Sequence, residues 1–260
     1  MTFESIRVEN VGAVRRIVLN RPERLNACPP TMAIEISDAL YDLEGARAVL
    51  ITGEGRAFCS GADLAASGKR SIAGGAGSYK ALTESYNPMI LKLARLPVPL
   101  VCAVNGVAAG VGCSIALMGD FVIAAKSAYF LQAFVNIGLV PDGGSSWLLP
   151  RLIGKPRAMQ MMMLGERILA EKAQDWGMIY KAVDDAVLAD EAMALAERLA
   201  AGPTVALGAM RQNVARALEC ELPTALLTEA EGQWRAGDSA DAAEGIKAFL
   251  GKRKAEFRGH

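Results

Sequence analysis

The chain has 260 residues, 52% of them hydrophobic, and its 28 lysines and arginines balance 28 aspartates and glutamates. That length and apolar content build one large domain, or one domain with an appendage, around a core that needs no staples. Balanced charge gives no electrostatic footprint for nucleic acid or an anionic membrane; of five scattered cysteines without a CxxC pair, three lie in apolar or small-residue tracts and read as reduced core thiols, and a cytoplasmic location is expected. In chain order, Ile6–Val8 and Val14–Leu19 form two short strands around the turn at Asn10–Gly12. No basic region followed by an apolar one opens the chain, so no signal peptide is expected. Apolar residues at 32, 33, 36, 39, 40 and 43 predict a helix over Thr31–Leu43 with Thr31 as its cap. A β-type run, Ala48–Thr52, ends at Gly53, and residues 65–78, rich in Ala, Gly and Ser, read as a mobile loop. A helix over Tyr79–Leu96 stops at Pro97, and a buried strand follows at Leu100–Val104. The uncharged run Val98–Met118 holds Pro99, Asn105 and three glycines, so strand, loop and short helix explain it better than a membrane span. Phe121–Ala125 is another strand. After Pro150 the pattern is helical, with segments at Lys155–Leu164, Ala170–Trp176, Leu188–Ala200, Val205–Ala217, Leu222–Trp234 and Ser239–Phe249. Alternating strands and helices followed by helices alone predict an α/β core with a helical C-terminal layer, divided at about residues 1–200 and 201–260.

The single histidine is His260, the last residue. A Ser-His-Asp triad or a Cys-His pair needs a histidine inside the fold, and most zinc sites need histidine or clustered cysteine. No metal site is expected. Cys59 and Ser60 lack an evident base and read as packing residues. Asp, Glu, Lys and backbone amides remain as chemical groups.

Two glycine-rich loops each follow a strand: Arg56–Leu64 and Asn105–Ser114. Small residues there let backbone approach a ligand, and the second loop runs into a helix whose first amides point outward at the positive end of its dipole. Two such turns can aim one N–H each at a single oxygen, as an oxyanion hole. Close helix–strand packing selects glycine equally well, and spacing alone leaves the two readings level. Neither loop fits a phosphate-binding pattern: Gly68-Lys69 is followed by Arg70, and the 106/110/112 spacing is not GxGxxG.

Asp142 is the only acid between Phe121 and Gly165, within the otherwise uncharged Ile137–Gly144. A carboxylate among apolar residues and glycines is costly to keep ionised, and burial moves its pKa towards the range of a general base. Pro-Asp-Gly is also a β-turn sequence, and from the tripeptide alone the turn comes first.

Taken together, Leu19–Ala27, Gly55–Leu64, Pro97–Gly112, Ile137–Gly144 and Phe249–Phe257 make the chain resemble the crotonase (enoyl-CoA hydratase/isomerase) superfamily over almost its whole length. The resemblance implies a spiral of ββα units with C-terminal helices that assemble trimers, often paired as a dimer of trimers. It implies an acyl-CoA thioester substrate, with coenzyme A part of the substrate and no separate cofactor. The amides of Ala62 and Val111 would form the oxyanion hole. Arg24, Leu25 and Ala27 would line the CoA track. Asp63, Leu64 and Phe134 would also bind the substrate, and Lys252 would reach CoA phosphates from a neighbouring subunit. By composition alone Lys252-Arg253-Lys254 is a solvated tail. The β-branched Val111, where the family usually has glycine, narrows the pocket.

The two glutamates of the family's hydratases would fall at Ser114 and Phe134. Neither side chain can activate water at neutral pH, so two-glutamate hydration is not expected. Asp142 falls where several family isomerases carry an aspartate, and Phe130–Leu149 and Ala173–Ile179 look most like the 1,2-epoxyphenylacetyl-CoA isomerase branch. One carboxylate near an oxyanion hole suffices for an isomerase. The expectation is therefore an acyl-CoA isomerase with Asp142 as proton shuttle. The alternatives are a divergent hydratase using Asp142 alone, an Asp142 nucleophile without its assisting histidine, and a non-catalytic acyl-CoA- or RNA-binding relative.

Overall fold

The computed structural model describes residues 2–64 and 74–260. Among the described residues, ten strands make two sheets. The larger runs β1 (Ile6–Val11), β2 (Val14–Leu19), β3 (Ala48–Gly53), β5 (Leu100–Val104), β7 (Phe121–Ala125) and β10 (Lys181–Val183) from edge to edge. The smaller runs β4 (Ala57–Cys59), β6 (Val107–Ala109), β8 (Tyr129–Leu131) and β9 (Ile168–Leu169). Among the described strands, only the β1–β2 and β8–β9 pairs are antiparallel.

This order is a spiral. The chain lays β3 in the large sheet and β4 in the small one, passes through a helical segment, and repeats with β5, β6 and α4 (Val111–Leu117). A third turn follows with β7, β8 and α5 (Ser145–Met159). Parallel neighbours need such crossovers, and strands covered on both faces read as unbroken apolar runs. Leu100–Val104, every residue of it buried, is such a run.

Several expectations are corrected. The first long helix, α1, is Pro30–Ala39, capped by Pro29 without a side-chain hydrogen bond, so Thr31 lies inside it. Pro30 at the first position carries the preset φ and lacks an N–H that would have no intrahelical partner. The Tyr79–Leu96 helix is α2 (Gly74–Ala81), a π turn over Leu82–Tyr86 and α3 (Asn87–Ala94). Of the loop expected at 65–78, residues 65–73 lie outside the described residues, and 74–78 already belong to α2. The last third is not purely helical, because β9 and β10 sit among its helices α6 (Ala170–Asp175) and α7 (Leu188–Ala200).

Helix α7 lays Ala192, Ala196 and Ala200 on the large sheet, small side chains at helical spacing that bring it close. Beyond it, α8 (Thr204–Ala217), α9 (Leu222–Gly237) and α10 (Ala240–Leu250) form the C-terminal layer. Two features dock α8 on the core. A Cβ on Gly208 would stand 2.2 Å from the Pro97 carbonyl oxygen, so only glycine allows this approach. Arg211 pairs with Asp120 at 2.7 Å and donates to the carbonyls of Leu93, Ala94 and Leu96 at 2.8–3.1 Å.

Candidate active site

The loop after β2 is built round Asn26. A 3-10 turn, Pro22–Arg24, leads into Leu25 and Asn26, both left-handed with φ of 52° and 53°. Asparagine tolerates that region better than most residues. Its fully buried side chain accepts from the Arg21 N–H at 2.8 Å and donates to the carbonyls of Glu54 and Ala57 at 2.9 and 2.8 Å. Asn26 is a positioning residue that the motif contained but that received no role from sequence, because a polar loop residue reads as surface.

This loop is laced to the segment after β4. The Ser60 N–H donates to the Leu25 carbonyl at 3.0 Å, and its hydroxyl to the Arg24 carbonyl at 3.4 Å. Cys28 and Ala62 form a parallel bridge, in which the Cys28 N–H bonds the Gly61 carbonyl at 2.7 Å and the Asp63 N–H bonds the Cys28 carbonyl at 3.0 Å. The alternation of an extended chain turns the Ala62 N–H to the opposite side, and among the described residues it has no partner. Arg21 spans the loop, pairing with the buried Asp63 at 2.9 Å and donating to the Ala27 carbonyl at 2.5 Å. Asp63, expected beside the substrate, thus has its carboxylate turned into the scaffold, whereas Leu64 is exposed.

Val111 is the first residue of α4, so its N–H has no intrahelical acceptor, and it is only 2% exposed. Cysteine 59 lies under the helix: a Cβ on Gly112 would meet its carbonyl oxygen at 2.3 Å. The residues preceding the two amides also touch, since a Cβ built on Gly110 would lie 3.7 Å from the Gly61 Cα. The same position is 3.4 Å from the Phe134 ring, which places Phe134 over the junction of the two loops. Glycine is therefore needed here for packing, and that packing sets the Gly61-Ala62 and Gly110-Val111 segments against each other, with neither the Ala62 nor the Val111 N–H partnered among the described residues.

The turn that Asp142 opens packs on the start of α4 from a third element. The Asp142 carbonyl accepts from the Ser145 N–H at 3.1 Å across Gly143 and Gly144, whose φ values are 57° and 83°. So Asp142 does open a β-turn, one that starts α5. Its side chain is not the exposed one of the turn reading: Oδ1 is shut off from solvent and has no hydrogen-bond partner among the described residues. Burial pushes the carboxyl up to about 6. A Cβ on Gly143 would lie 3.5 Å from Val111 Cγ2 and 2.8 Å from Ser114 Oγ, which puts the turn directly on the start of α4.

Two of the expected acid positions hold none. Ser114, 1% exposed, bonds Ser145 Oγ at 3.0 Å, and Phe134 sits in a 3-10 turn at Ala133–Ile137. Lys252 is exposed, with φ of 51°, past the end of α10, and no described contact joins it to Asp142. Cys59 is fully buried and its thiol is pushed up to about 11 by burial, in keeping with a packing role.

Residues 9–260 match the model of the enoyl-CoA hydratase/isomerase family. The chain belongs to that family. Among curated relatives, it is 45% identical to the 1,2-epoxyphenylacetyl-CoA isomerase of Escherichia coli, over 95% of each chain. It is 43% identical over the full length of both chains to a protein of Rhodobacter capsulatus described as a probable enoyl-CoA hydratase. Among solved structures, an enoyl-CoA hydratase from Polaromonas sp. JS666 superimposes with a TM-score of 0.90 at 33% identity, covering 97% of this chain and 99% of that one. One from Bacillus anthracis gives 0.91 at 28% identity, covering 99% and 100%. The spiral of ββα units with C-terminal helices is therefore the fold of the enoyl-CoA hydratase/isomerase family, and this chain is an enzyme of it.

Proposed function

We propose that this enzyme is an acyl-CoA isomerase that moves one proton with Asp142. The carrying observation is the half-buried carboxylate of Asp142: its Oδ1 is shut off from solvent with no partner among the described residues, and its turn is set against the start of the helix whose first amide has no intrahelical acceptor. In the proposed reaction, ionised Asp142 takes a proton from C4 or C2 of an enoyl thioester. The electron pair moves into the thioester, and the Ala62 and Val111 N–H groups hold the enolate oxygen. Asp142 then returns the proton to the other carbon, so atoms and charge balance without water and without any cofactor beyond the CoA of the substrate. Arg24, Leu25 and Ala27 would carry the CoA moiety along their backbone, and Lys252 would act from a neighbouring subunit. Phe134 over the loop junction favours conjugated or aromatic acyl groups. The likeness to the Escherichia coli isomerase brings an aromatic-ring-derived acyl-CoA within this reading.

A homotrimer or a dimer of trimers, in a cytoplasmic setting, completes the proposal. Exposed apolar residues along α8 to α10, including Met210, Val214, Leu222, Leu226, Trp234 and Phe249, support association through that layer. No described helix is long and apolar enough to cross a membrane.

A second reading, hydration by Asp142 alone, draws on the likeness to the Rhodobacter capsulatus protein. Incubation with trans-3-hexenoyl-CoA and with crotonyl-CoA in deuterated solvent separates the two. Formation of the conjugated thioester without the hydroxyacyl product supports isomerisation. Hydration of crotonyl-CoA that survives Asp142→Asn overturns Asp142 as the base.

A further inference from the structure

Gln132, Ser145 and Ser114 form a chain of side chains behind the Asp142 turn, and all three are at most 2% exposed. Gln132 Nε2 donates to Ser145 Oγ at 3.0 Å, Ser145 and Ser114 hydroxyls meet at 3.0 Å, and Ser114 Oγ lies 3.4 Å from the Asp142 carbonyl oxygen. The direction of this chain is fixed by proton counting. A carbonyl only accepts, so the single Ser114 proton goes to Asp142. At the Ser114–Ser145 contact Ser145 is then the donor, and it in turn accepts from the Gln132 amide. Every hydroxyl proton is used, and none is left for the Asp142 carboxylate.

The chain is a poor investment in stability. Gln132 is fully buried and its Oε1 has no partner among the described residues. An apolar side chain of that volume would leave no acceptor unsatisfied. What the chain does achieve is geometric. The Asp142 carbonyl accepts from both the Ser145 N–H and Ser114, while the side-chain Oδ1 has no donor among the described residues. Backbone clamped and carboxylate bare is the arrangement a shuttle needs if one side chain is to serve two carbons from a fixed pivot.

We propose that Gln132, Ser145 and Ser114 are a one-way hydrogen-bond relay that fixes the backbone of Asp142, so that both serines and the glutamine are positioning residues for the proton shuttle. The inference rests on the reading of Asp142 as the base. It makes Ser114 more than the relic of a missing glutamate: its hydroxyl holds the group that took over the proton chemistry.

The test uses the full chain and the variants Ser114→Ala, Ser145→Ala, their double, and Gln132→Met, which breaks the relay at its far end with little change of volume. Turnover of trans-3-hexenoyl-CoA is measured beside a carbon-13 NMR titration of the Asp142 carboxyl, assigned with Asp142→Asn. Each single variant is expected to lower kcat by ~10-fold or more, since displacements of an ångström cost this much or more, with KM within about threefold. The double variant is expected to be no worse than the poorer single, because one break opens the whole relay. The carboxyl midpoint is expected to fall in every relay variant as the turn loosens towards water. If the wild type isomerises and the variants change neither kcat nor the midpoint, or if the serine losses multiply, the relay is overturned. If the wild type does not isomerise, the titration still decides: a moved midpoint keeps the relay while the isomerase reading falls, and an unmoved one removes the relay as well.

Discussion

Asp63, next to Ala62, and Asp142, in the turn packed on Val111, have opposite surroundings. Asp63, 7% exposed, is paired with Arg21 at 2.9 Å in a loop where Asn26 uses both ends of its amide. Asp142 has an orphaned Oδ1, over a relay whose glutamine also has an orphaned oxygen. Both regions bury polar groups, so burial alone does not mark the reacting side. Under the proposed reading, the contrast is between a satisfied network that holds shape and a carboxylate whose Oδ1 keeps its lone pairs for substrate.

The comparison breaks first at Asp142. Asp142→Asn keeps the shape and removes the base, and turnover is expected to fall by about 10²–10⁴-fold, the range for a lost general base. Stopped-flow or coupled assays at saturating substrate read this directly, and a variant retaining a third of wild-type kcat sinks the assignment. In the wild type, kcat/KM is expected to fall on the acid side with a midpoint near 6, where burial has placed the carboxyl, since only the ionised form accepts a proton.

The satisfied side predicts stability instead. Asn26→Ala removes three hydrogen bonds and strands the Arg21 N–H and the Glu54 carbonyl, while the Ala57 carbonyl keeps Asn105 Nδ2 at 3.3 Å. A loss of roughly 3 kcal/mol is expected, from about 1 kcal/mol per bond plus the stranded donor and acceptor. Chemical denaturation checks it, and a loss under about 1 kcal/mol shows that the loop is held elsewhere. Isomerase kcat in the surviving folded fraction is expected to change less than KM, because the loop carries the proposed CoA track.

Much of this contrast was legible in the sequence, and the exceptions have physical reasons. Val14–Leu19, Leu100–Val104 and Phe121–Ala125 are strands over the ranges expected from the sequence. The three-residue strands Ala57–Cys59, Val107–Ala109 and Tyr129–Leu131 are too short to show a period, so the spiral came from the family resemblance. Asp142 was conspicuous as a solitary acid. Its relay was not, because Ser114, Gln132 and Ser145 are ordinary residues that only tertiary structure joins. Asn26 escaped for the same reason: its acceptors lie about thirty positions on, at Glu54 and Ala57.

A smaller effect concerns pH and stability. The folded state raises the Asp142 carboxyl from 3.8 to about 6. It therefore holds that proton more tightly than the unfolded chain does, and the advantage disappears as pH rises from about 4 through about 6. Above that window the ionised group costs up to about 2–3 kcal/mol. The melting temperature of Asp142→Asn relative to wild type is thus expected to rise between pH 4 and pH 7 and then level off. A flat difference across that range shows that the carboxylate is solvated after all.

The smallest effect isolates what makes a polar contact count. Glu54 takes part in two: its carbonyl accepts from buried Asn26 at 2.9 Å, and its carboxylate pairs with Arg7 at the surface, the side chains being 55% and 39% exposed. An exposed pair gains little, because water screens the attraction and two flexible side chains lose entropy. Glu54→Gln is therefore expected to change stability by less than about 0.5 kcal/mol, against roughly 3 kcal/mol for Asn26→Ala, although both alter a bond to the same residue. If the two losses are equal, the surface ion pair is part of the scaffold, and the line between satisfied framework and bare carboxylate must be drawn further out. If they differ as expected, the buried amide holds the loop and the ion pair merely decorates it.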